Sequence, residues 1–97
     1  LHTLAVQKFH LLSLENAAKA LQSLPKNERN FSGLTLGISA EVYEKICSEI
    51  NLFQKRILAI AENDNNSDRV YQLNLQLFPV SARAKVKRTA KKENDEK

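Results

Sequence analysis

The sequence predicts an α/β (α+β) fold: a small α-β-α-β unit with two long helices packed on one face of a small sheet. Three observations predict it. Residues 68–79 read DRVYQLNLQLFP, where Tyr71, Leu73, Leu75 and Leu77 alternate with Gln72, Asn74 and Gln76. A period of two marks a strand with one buried face and one polar face. Residues 31–38 repeat the pattern, with Leu34, Leu36 and Ile38 on one side and Gly33, Thr35 and Gly37 on the other. Between them, Tyr43, Ile46, Ile50, Phe53, Ile57 and Ile60 recur at steps of three and four, the stripe of an amphipathic helix.

Residues 3–24 read as the first helix. Leu4, Leu11, Leu14, Ala18 and Leu21 form one face, and Val6, Phe9, Ala17, Ala20 and Leu24 form a second apolar stripe. A helix apolar over so much of its girth is expected to be buried from two sides. The rest of a short chain covers one side, which leaves the other to an upstream segment or a second copy. Pro25 ends the helix by disfavouring helical geometry at Leu24. Gly33 and Gly37 are costly inside the first strand. They are expected to relieve crowding or mark a bulge; the alternative is that they let a backbone or ligand approach. Ser39 is a good N-cap for the second helix, residues 40–62. Glu41 suits the helix dipole there, and Ile38 with Tyr43 can form a hydrophobic staple. The stripe of this helix is expected to pack on the leucine side of the sheet; as a coiled-coil seam it would supply only about three heptads. The run ENDNNSD at 62–68 is a turn-rich loop, and Pro79 closes the second strand. Strand, helix and strand suit a right-handed parallel crossover. Two strands alone make a poor sheet, so the strand order stays open to a strand from elsewhere.

The 97 residues make one small domain, residues 1–79, followed by a basic tail, residues 80–97, whose composition predicts disorder. The chain has no Met and begins at Leu1, which reads as the C-terminal piece of a longer protein. Cys47 is the single cysteine, so no internal disulfide forms, in keeping with a reducing cytoplasm. No apolar run approaches the ~18 residues of a membrane span. Of the charge, eight basic and eight acidic residues balance in 1–79, and seven basic against three acidic residues in the tail leave the net +4. Arg83, Lys85, Lys87, Arg88, Lys91 and Lys92 could contact phosphates without reading sequence, but no aromatic residue there could stack on bases. A plain solubilising end is the simpler account of that tail.

Catalytic chemistry is not visible. His2 and His10 lie two helical turns apart, about 12 Å, too far to chelate one ion. Cys47 flanks the stripe of the second helix, away from any histidine or helix N-terminus, and reads as a packed, inert thiol. No nucleophile elbow, P-loop or dinucleotide-binding glycine pattern occurs, and the chain holds only two glycines. The expectation is therefore no enzyme, no metal and no cofactor. The polar side of the predicted sheet, Gly33, Thr35 and Gly37 beside Gln72, Asn74 and Gln76, is an uncharged, amide-rich surface. It is simply solvated, a docking face for a partner domain or second protomer, or a small-ligand site.

The segments RNFSGLTLGIS and DRVYQLNLQLFPVS, separated by one capped helix, carry a resemblance. Arg29, Ser32, Gly33, Leu34 and Thr35 match in the first; Asp68, Arg69, Val70, Tyr71, Gln72, Leu73, Asn74, Leu77, Phe78 and Pro79 match in the second. The chain resembles, over about residues 10–81, the C-terminal part of a conserved bacterial family catalogued as a domain of unknown function. That family is expanded into paralogues in predatory and fibre-degrading bacteria. Its upstream region looks like a helix-turn-helix or winged-helix segment. The resemblance implies a cytoplasmic transcriptional regulator, with this chain as its non-catalytic C-terminal module. The implied role is dimer or interdomain packing, with or without an effector response. The implied partners are the missing N-terminal DNA-binding domain, a second protomer in a homodimer, and DNA through the full-length protein, with no membrane. The alternative is a small structural or nucleic-acid-associated protein that uses its basic tail.

Overall fold

Local chemistry sets where the helices begin and end. In the computed structural model, which describes residues 3–84, α1 spans Leu4–Ser23, a 3₁₀ turn spans Lys26–Glu28 and α2 spans Ala40–Glu62. α1 stops where Pro25 forces Leu24 into extended backbone, φ −87° and ψ 145°. The Leu24 N–H still closes the last turn on the Ala20 carbonyl at 3.0 Å. The Arg29 guanidinium then reaches back to donate to the Leu24 carbonyl, which no helix turn would otherwise satisfy. α2 starts at Ser39, whose Oγ accepts from the Val42 N–H at 3.1 Å, and Glu41 lies in the first turn. It ends at Asn63, whose N–H reaches the Ile60 carbonyl at 3.3 Å. Asp64 Oδ1 then accepts from the Asn66 N–H at 2.9 Å, an Asx turn that breaks the helical path.

The expected α/β sheet is not formed. Among the described residues there are two α-helices and no strand, so the fold is all-α. The segments at 31–38 and 69–78 carry no regular structure. A strand is defined by a neighbour's N–H and C=O groups, and no backbone–backbone hydrogen bond reaches either segment. Alternation in sequence reports which side chains share a side; it does not supply a pairing partner, and two strands are too few to stand alone.

Side chains hold the second segment instead. Arg69 Nη1 approaches Glu28 Oε1 at 3.4 Å, and Asn74 Nδ2 donates to the Ser13 carbonyl at 3.0 Å. These ties lead the segment from the 3₁₀ turn back along α1. Asn74 meets the helix; Tyr71 and Leu73 stay exposed, Leu73 at 55%.

Helix packing also departs from expectation. α1 and α2 do not pack on one another, and no hydrophobic residue among those described is buried. Along the α2 stripe, Ile46, Ile50 and Ile57 are half-buried while Tyr43, Phe53 and Ile60 are exposed. α1 is covered on one face only. Ser13, 6% exposed, is buried, and Ala17, Ala20 and Leu24 beside it are half-buried. At 100° per residue the Leu4, Leu11, Leu14 and Leu21 row lies roughly 120° around the helix from that face, and all four are exposed. The radius of gyration is 19.6 Å, against about 13 Å for a compact chain near this length.

Replacing Ser39 by Ala should lower the stability of α2 by about 1 kcal/mol, and Ser39→Gly by only a few tenths. Helical circular dichroism followed through thermal unfolding measures this; an unchanged midpoint in Ser39→Ala would show that the cap contributes nothing.

Candidate interaction site

The ties between the second segment and α1 frame an open concave space. It is a cavity of about 300 Å³ between Phe9, His10, Ser13 and Leu14 of α1, Gln54 of α2 and residues 72–76. Its lining is mixed: Phe9, Leu14, Leu73 and Leu75 are apolar, and the Asn74 amide, fixed on Ser13, stands between Gln72 and Gln76. The segment comes this close at Ser13, whose small side chain leaves the backbone carbonyl open to the Asn74 amide. Phe9 and His10 meet edge-on at 5.4 Å between ring centres and wall one side. At the other end of the segment, the Arg69 guanidinium pairs with Glu28 and lies 6.0 Å from the centre of the Tyr71 ring.

Of the expected docking residues, Gln72, Asn74 and Gln76 are brought together in this cavity wall. Gly33, Thr35 and Gly37 are exposed and do not line it. A Cβ added at either glycine would meet nothing within 4 Å, so within this chain neither one relieves crowding nor admits a close neighbour. The amide row and the glycine row therefore do not form one face. Arg83 is exposed; Lys85, Lys87, Arg88, Lys91 and Lys92 lie outside the described residues, as does His2. Ser13, Phe9, His10 and Gln54 were not foreseen as site residues. The small side chain of Ser13 is the signal that could have marked where another segment settles on α1.

Cys47 is free and half-buried on α2. Its side chain lies one turn from the Tyr43 hydroxyl. Hydrogen bonding and charge repulsion with Cys47 hold the Tyr43 pKa above the ordinary tyrosine value, and Glu44 adds to the effect. Among the described residues no group of three or more His, Cys, Asp or Glu could hold a metal ion. No helix among them is long and apolar enough to cross a membrane.

Residues 1–80 match the family described as Domain of unknown function (DUF4423). The chain belongs to this family. Neither curated proteins nor solved structures gave a match. The DUF4423 match takes in α1, both irregular segments and α2, and it stops at the edge of the basic tail.

Two measurements test this geometry. Asn74→Ala should release the segment from α1, with faster amide hydrogen exchange at 70–78 and a cost of about 0.5–1.5 kcal/mol. Unchanged exchange would show that the amide does not hold it. Cys47→Ala should bring the Tyr43 titration down toward its ordinary value of 10.0. Phenolate absorbance in a Tyr71→Phe background reads this directly.

Proposed function

We propose that this DUF4423 domain is a non-catalytic packing module of a bacterial DNA-binding transcriptional regulator. In this reading it supplies dimer or interdomain contacts and acts in the cytoplasm. The observation that carries the packing role is the absence, among the described residues, of any buried hydrophobic side chain beside a long set of exposed ones. The accessible surface is 9003 Å², where a compact monomer of 11.0 kDa exposes about 5,600 Å². The excess surpasses the roughly 1,000–2,500 Å² per partner of an obligate interface. That area is polar and apolar together; what points to a partner is the run of large hydrophobics exposed within it, since contiguous apolar surface marks an interaction site. The regulator role rests on the resemblance of the two matched segments to a family whose upstream region looks like a helix-turn-helix. An effector, where one acts, would enter the Asn74 cavity, whose volume is at the lower end of small-molecule sites.

The test is DNA selection from a random pool with the full-length natural protein, wild type against Leu73→Glu/Leu75→Glu. The wild type should enrich one site. The variant should bind that site at least ~10-fold more weakly, the cost of lost apolar burial. A protein that enriches no DNA would overturn the regulator reading; equal affinities would overturn the contribution of these leucines to packing.

A further inference from the structure

We infer that two copies of this chain associate through α1, leucine row against leucine row, in antiparallel register. The inference rests on the packing reading above and names its surface and partner. Leu4, Leu11, Ala18 and Gln7, Leu14, Leu21 occupy the two alternating core positions of a seven-residue repeat over the whole 20-residue helix. The chain's own second segment meets α1 at Ser13, and the leucines of the row stay exposed. α2 does not pack on α1 either. The row is thus open to a helix with the same spacing.

Charge and layer order both select a second, antiparallel copy. Set antiparallel, Leu4 faces the partner's Leu21, Leu11 faces the partner's Leu14, and the single polar member, Gln7, faces the small Ala18. Parallel alignment would instead stack Gln7 on Gln7 in the seam. Lys8 and Glu15 occupy the same flanking position one heptad apart, both exposed. Neither makes an ion pair within the described residues. In the antiparallel pair each Lys8 comes beside the partner's Glu15, twice by symmetry. The domain body is charge-balanced, so the net repulsion between two copies comes from the +4 tails and not from the seam.

The experiment uses the full 97-residue chain. Light scattering should give twice 11.0 kDa for the wild type. Leu4→Glu/Leu11→Glu, neither residue lining the Asn74 cavity, should give the monomer mass, with self-association weakened at least ~100-fold. Both sites are exposed within one chain, and Glu is a good helix former, so the substitutions themselves do not break α1 and any helix lost follows from dissociation. For orientation, Leu4→Cys and Leu21→Cys are made separately in a Cys47→Ser background and oxidised. A disulfide-linked dimer should form when the two are mixed and not from either alone. A wild type that stays monomeric overturns the seam, as does a double-Glu variant that still dimerises. Cross-linking of Leu4→Cys with itself overturns the antiparallel register. None of these outcomes bears on DNA selection by the full-length protein, so the two readings fail separately.

Discussion

The side-chain amide of Asn74 holds the second irregular segment against α1, and the exposure of the rest of the chain follows from that placement. With Asn74 turned inward onto the Ser13 carbonyl, the neighbours Leu73 and Tyr71 stay exposed. The ion pair of Arg69 with Glu28 fixes the direction of travel. Neither tie is strong. A neutral hydrogen bond contributes about 1 kcal/mol net, and an exposed ion pair about 0–1 kcal/mol. Ordering the backbone of each residue costs about 1–2 kcal/mol. Two such ties do not offset the ordering of ten residues, so apolar burial has to supply the remainder. Inside one chain the exposed leucines have nothing to bury against.

The helices were legible in the sequence because their signals are local. Ser39 at the N-cap, Glu41 in the first turn and the polar run after Glu62 bound α2, and the structure places it at Ala40–Glu62 as expected. Pro25 ends α1 with the same economy. The sheet was misread because strand formation is not local. The alternation at 71–77 does not become an inner and an outer side: Asn74 and Leu77 are half-buried, Tyr71, Gln72, Leu73 and Gln76 are exposed, and Leu73 and Leu75 line the cavity together with the amides. Two sides exist only in a paired strand, and no pairing partner is present among the described residues. Gln72, Asn74 and Gln76 line the cavity with Leu73 and Leu75 between them, not as the separate amide face the alternation predicted, and Gly33, Thr35 and Gly37, which depended on strand pairing, stay apart.

A chain built this way couples folding to association. Isolated helices near 20 residues are marginal in water, and most helical stability in proteins comes from packing an apolar face. Here neither helix packs on the other. A partner that binds only the ordered form therefore adds its binding energy to the stability of the helices themselves. For such a module the concentration of partner, more than any internal core, governs whether the domain is folded.

α1 divides its surface so that both demands can be met together. Its small-residue face receives the chain's own segment at Ser13, and its leucine face, about a third of a turn away, is left for another body. Covering the second does not displace the first. The cavity touches the small-residue face through Ser13 and the segment through Asn74. A ligand there would act first on how firmly the segment is held. It would influence a partner on the leucine face only if that partner also discriminates between the held and released segment, because a ligand shifts an equilibrium only by its differential affinity for the two states. The exposed Tyr71 and Leu73 are the residues best placed to make that discrimination, since releasing Asn74 moves them and leaves the leucine row of α1 where it is.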